Sequence, residues 1–123
     1  MTTYAVAHLH DPSDHDDVLT YIERIQETMD PYGGRFLVHG SAVEVVEGAW
    51  PGALVVVAFP DRDAVHAWYA SPAYQEILPL RTAHITGDVV IAEGVAPGYD
   101  PRRTAAAMRA ARDAGRCQHP RGV

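Results

Sequence analysis

The chain has a single cysteine, Cys117, so an internal disulfide is excluded and a reducing compartment is expected. It has no lysine; all ten basic residues are arginine. No apolar run is long enough to span a bilayer, and the amino terminus lacks the charged-then-apolar pattern of a secretion signal, so a cytoplasmic protein is expected. No glycine-rich nucleotide fingerprint occurs, which argues against NAD or ATP, and no nucleophile motif or metal cage stands out. No internal repeat or low-complexity run appears before residue 97.

What is present is one domain's worth of chain, 123 residues with 47% hydrophobic content. Charge divides it. Residues 1–96 carry four arginines against fourteen acids, a net of −10, whereas 97–123 carry six arginines against two acids, a net of +4. An acidic body repels phosphate backbones, so nucleic acid is not an expected partner. The reading is therefore a folded domain over 1–96 and a basic, Arg/Ala-rich tail over 97–123, partly helical or disordered.

Tyr4–His10 reads as a strand, ended by Asp11-Pro12. Ser13 stands three residues before Asp16, the capping-box spacing, and Val18, Tyr21, Ile22, Ile25 and Met29 recur at helical intervals. Pro31 and Gly33-Gly34 end that helix. Arg35–His39 is a strand, Gly40-Ser41 a bulge or tight turn, and Ala42–Glu47 is expected to continue as strand. Ala53–Phe59 is apolar throughout, so both its faces must be covered. Asp61 caps a second helix bearing Trp68; Ser71-Pro72 restarts it, and Pro79 must kink or end it. Gly87–Glu93 is the last strand. Beyond it, Asp100-Pro101 can cap a helix that should stop at Gly115.

Strand, helix, strand pair, helix, strand is the split βαβ order of an α+β, ferredoxin-like domain: a four-stranded antiparallel sheet with its helices on one face. Helices cover only one side. Leu54, Val56 and Ala58 nevertheless point opposite to Val55, Val57 and Phe59, leaving a second face too apolar for water. A homodimer through the sheet faces is expected.

Gly33-Gly34-Arg35-Phe36-Leu37-Val38-x-Gly40, Glu47-Gly48 with Trp50-Pro51, Phe59-Pro60, and Trp68-Tyr69-x-Ser71-Pro72-x-Tyr74-Gln75 resemble the DUF1330 family over roughly residues 4–95. The resemblance implies a dimeric α/β barrel of the ferredoxin-like group. Relatives in that group include cofactor-independent monooxygenases, lactone isomerases, polyketide cyclases and haem enzymes, so the fold does not choose a reaction.

His8, His10, Asp11, His15 and Asp16 are close in sequence but split between a strand and a helix start, and no metal site is expected. No cofactor is expected either. Arg35, Leu37 and His39 share a face if the strand keeps its parity; His39 is then a candidate acid or base and Arg35 a carboxylate or enolate ligand. A bulge at Gly40 would disturb that parity. Tyr69 completes the catalytic candidates. Tyr21, Trp50, Tyr74 and Arg81 are the substrate-binding candidates, with Trp50 near a glycine-rich mouth and Arg81 a partner for the Tyr21 hydroxyl. Glu44 and Glu47 are further carboxylates, a base in an apolar pocket and otherwise solvated. Three readings follow: an enzyme doing metal- and nucleotide-independent acid/base chemistry on a small carbonyl or carboxylate substrate, cyclase- or isomerase-like; a non-catalytic dimeric small-ligand-binding protein; or a monooxygenase-like activity using substrate-activated oxygen or haem.

Overall fold

The computed structural model describes residues 1–118. The last part of the expected tail, 119–123, lies outside the described residues. The chain runs β1 (Thr3–Leu9), α1 (Asp16–Met29), a single 3-10 turn (Asp30–Tyr32), β2 (Arg35–Ala42), β3 (Ala53–Phe59), α2 (Arg62–Ala70), α3 (Pro72–Thr82), β4 (Gly87–Glu93) and α4 (Pro101–Gln118). The four strands form one sheet in the order β2-β3-β1-β4, with every pairing antiparallel. This is the ferredoxin-like α+β fold.

Strand parity sorts the side chains. Ala5 pairs with Val57 and Ile91, and Thr3 with Phe59; these residues face α1, α2 and α3 and build the core with Tyr21, Ile25, Met29, Val65, Trp68, Tyr74 and Ile77. Val6 pairs with Val56 and Val90 on the opposite face, which no helix of the β1–β4 unit covers.

Local chemistry sets most element ends. Asp61 caps α2 by accepting from the Ala64 amide at 2.8 Å, and Ser71 caps α3 through the Tyr74 amide at 3.2 Å. At the end of α1, Gly33 takes a left-handed φ of 74°, and a Cβ on Gly34 would fall 2.7 Å from the Phe59 ring.

Four expectations are corrected. Ser13 is not the cap of α1: its Oγ accepts from the His15 amide, and His15 Nδ1 caps the helix by accepting from the Asp17 amide at 3.0 Å. The segment Ala42–Glu47 does not continue as strand. β3 begins at Ala53, paired with Ala42, so beyond Ala42 the edge strand has no ladder to join, and Val46 is left 88% exposed. Of the two outcomes expected at Pro79, a kink or an end, the end is overturned: α3 runs on to Thr82. Pro79 and Gln75, whose carbonyl it leaves without an amide donor, are both on the exposed side, where water can replace that bond. Finally, α4 passes through Gly115, which does not take the left-handed φ of a terminating glycine.

Candidate functional site

Small side chains on the helix-facing side of the sheet leave room beneath it. Ala5 and Ala7 on β1 and Ala53 on β3 stand where longer residues would reach the helices, and a cavity of about 340 Å³ lies there. Val18, Tyr21 and Ile25 of α1, Trp68 of α2, and Tyr74 and Arg81 of α3 form its other walls. Trp68 is held in place by its indole N–H, which donates to Thr28 Oγ1 at 3.0 Å.

Within this mostly apolar lining three polar groups converge. The Tyr21 and Tyr74 hydroxyls are hydrogen-bonded at 2.7 Å, and the Arg81 guanidinium carbon lies 5.5 Å from the Tyr21 ring centroid. Tyr74 and Arg81 are seven residues apart, two turns of α3, and therefore share a face. Arg81 is only 8% exposed, and among the described residues no carboxylate forms an ion pair with it. Burial pushes the Tyr21 hydroxyl far above the ordinary phenol range; Tyr74 adds to the shift and Arg81 opposes it. At Arg81 burial works against the charge, but the two tyrosines outweigh it and the guanidinium is raised above its usual value. The site thus holds a hydrogen-bonded pair of tyrosine hydroxyls beside a fixed cation.

The sequence-derived candidates divide. Tyr21, Tyr74, Arg81 and His39 line the cavity; His39 sits at its exposed edge, stacked on Phe36 with ring centroids 4.3 Å apart. Arg35 does not join them. The β2–β3 register shifts between Phe36 and Val38, so Arg35 pairs with Ala58 on the outer face while His39 pairs with Val55 on the helix side. The expected common face of Arg35 and His39 is therefore corrected: the shift falls ahead of His39, and a second one follows at Gly40. Tyr69 packs edge-on against Trp68 but lies outside the cavity lining. Trp50 is also elsewhere, stacked on His8 of the outer face at 3.9 Å. Glu44 and Glu47 are both exposed on the loop after β2. What the sequence reading missed was the pairing of Tyr74 with Tyr21, for which the two-turn spacing of Tyr74 and Arg81 was the available signal.

Solved structures share the fold at low identity. A protein of unknown function from Rhodopseudomonas palustris is 13% identical, with a TM-score of 0.62 over 78% of this chain and 84% of that one. A dimeric ferredoxin-like protein of unknown function from Jannaschia sp. CCS1 is 13% identical, TM-score 0.60, over 76% of this chain and 100% of that one. SnoaB, a cofactor-independent oxygenase from Streptomyces nogalater, is 13% identical, TM-score 0.50, over 80% and 96%. At such identities the likeness is one of fold. No curated protein matches the sequence. The sequence does match, over residues 2–95, the family described as Domain of unknown function (DUF1330), and the chain belongs to that family.

Proposed function

We propose that the cavity binds a small, mostly apolar molecule bearing a carboxylate or an enolisable carbonyl, and that the protein moves a proton on it. One observation carries this reading: a buried arginine without a carboxylate partner among the described residues, set beside two tyrosine hydroxyls in an otherwise apolar cavity. A buried cation is costly until an anion meets it, and a ligand oxygen that is or becomes negative would supply that anion. Arg81 and the tyrosine pair would hold the oxygen. His39, at the rim, would take a proton from the carbon next to the carbonyl; the C–H electron pair becomes a C=C bond and the carbonyl π pair moves onto the oxygen. Return of the proton to a different carbon as the carbonyl re-forms would complete an isomerisation.

The exposure of His39 favours a second reading, binding without turnover, because a rim imidazole in water has less to hold it in place. The two are separated by one experiment. Small aryl and alkyl carboxylates and ketones are titrated into the protein, and exchange of the proton next to the carbonyl is followed by NMR in deuterated water. Exchange that exceeds the buffer rate and is lost in His39→Gln supports catalysis; binding with no exchange leaves a ligand carrier. Carboxylates that bind no better than their amides, or equally well to Arg81→Met, overturn both.

The same proposal includes a homodimer through the outer sheet face, as in the neighbour described as dimeric. Val6, Val38, Leu54 and Val56 lie on that face and are only half-covered within one chain. A stable seam there needs roughly 1,000 Å² of buried surface. Sedimentation as a monomer at micromolar concentration would refute it.

A further inference from the structure

The outer face carries a second arrangement, unrelated to the cavity. His8 and His10 point the same way from β1, and Asp88 of β4 stands directly opposite His8 in the ladder. One donor atom from each of these three residues lies within 4.8 Å of the others. His10 Nε2 and Asp88 Oδ2 are 2.8 Å apart. We propose that His8, His10 and Asp88 form a binding site for a divalent transition-metal cation of the zinc type.

Three features support the site. The first is the donor set: two imidazoles and one carboxylate suit Zn²⁺, Fe²⁺ or Co²⁺, whereas Mg²⁺ and Ca²⁺ prefer oxygen alone. Second, the His8 tautomer is set. A carbonyl can only accept, so the 2.6 Å contact to the Pro51 oxygen makes Nε2 an N–H and leaves the lone pair on Nδ1. A ring N–H given to a backbone carbonyl is the usual support behind a metal-binding histidine. The third is distance. Bonds of about 2.1 Å space tetrahedral donors about 3.4 Å apart, so rotations that move donor atoms by the order of 1 Å would close the set. His10 would turn Nε2 from Asp88 onto the cation, its ring proton passing to Nδ1, and Asp88 would follow. Three protein donors leave at least one position for water or a ligand.

The other His/Asp cluster, His15, Asp17 and His84, is less suited. Both clusters have stacked imidazoles, at 4.1 Å for His8 and His10 and 3.7 Å for His15 and His84, so His10 must leave its stack to ligate. What sets the second cluster apart is that His15 Nδ1 is already occupied as the cap of α1. At the β1–β4 site the consequence of binding is local. Trp50 stacks on His8 and Pro51 accepts from it, so a cation there ties the 43–52 loop to the sheet.

The test uses the full chain without an affinity tag, titrated with Zn²⁺ alone by calorimetry, with Co²⁺ absorbance reporting geometry. The expected result is saturable binding of one Zn²⁺ per chain that weakens at least about tenfold in His10→Gln and in Asp88→Asn. Their side chains are 37% and 74% exposed, so neither substitution threatens the fold. His84→Gln should keep the affinity. Acidification from about pH 7.5 to about pH 5.5 should lower it, because protons compete for the imidazoles. No saturable binding by the full chain overturns the proposal. So does binding that is unchanged in both His10→Gln and Asp88→Asn, or that is lost in His84→Gln alone.

Discussion

The hydroxyls of Tyr21 and Tyr74 meet at 2.7 Å in the core, although 53 residues separate them in sequence. One donates and the other accepts, so each satisfies a group that burial would otherwise leave at a loss. Tyr74→Phe removes one partner and leaves the Tyr21 hydroxyl only Arg81 beside it. The expected cost is roughly 1–2 kcal/mol of stability, read as a lower urea midpoint with an unchanged slope. An unaltered midpoint would mean that water replaces the lost partner.

The same burial predicts a behaviour in alkali. In the unfolded chain the Tyr21 phenol titrates near 10.0, but in the folded chain its pKa is raised. The stability this represents is fully present below pH 10 and is lost as pH rises through the folded value, because above 10 only the unfolded state sheds that proton. The melting temperature should fall above that point. Phenolate absorbance should show that not all six tyrosines ionise before the protein unfolds, Tyr21 being held back. Smooth titration of all six in the folded state would contradict this.

Arg81 should be a residue kept at the expense of stability. Arg81→Met replaces a buried cation by an apolar chain of similar length, and the melting temperature should hold or rise by a few degrees. If it falls by ten degrees or so, the guanidinium is a structural brace, and the case for it as a ligand-binding group weakens.

Neighbouring valines of β3 should fail differently. Val57 is in the core, and Val57→Asp should cost about 4 kcal/mol or more and prevent folding. Val56 faces outward, so Val56→Asp should leave a folded chain that sediments as a monomer. Two unfolded proteins, or two dimers, would mean that the faces are misassigned.

Truncation after residue 96 should leave the fold intact. The side chains of α4 described over 101–114 are exposed, Met108 by 68%, and a helix bound so little adds little. A shift of no more than a few degrees in melting temperature is expected; a collapse of tens of degrees would place α4 in the stable unit.

The sequence by itself determined what depends on a few neighbouring residues. The stripe Val18, Tyr21, Ile25 and Met29 named a helix and its buried side; Asp61 and Ser71 marked helix starts with their own side-chain oxygens; the apolar run Ala53–Phe59 announced a strand apolar on both faces. Each signal works over one turn or one pleat, so it survives without knowledge of the rest. Tertiary structure alone decided the rest. A register shift between Phe36 and Val38 sends Arg35 outward and His39 toward the cavity, and that shift depends on how β2 meets β3 rather than on β2 alone. Asp88 comes to lie beside His10, 78 residues earlier, because both flank the β1–β4 ladder. Trp50 goes to His8 because β2 runs out of partner at Ala42 and frees the loop that carries it. Register and packing act between residues far apart in the chain, and periodicity within a segment holds no record of them.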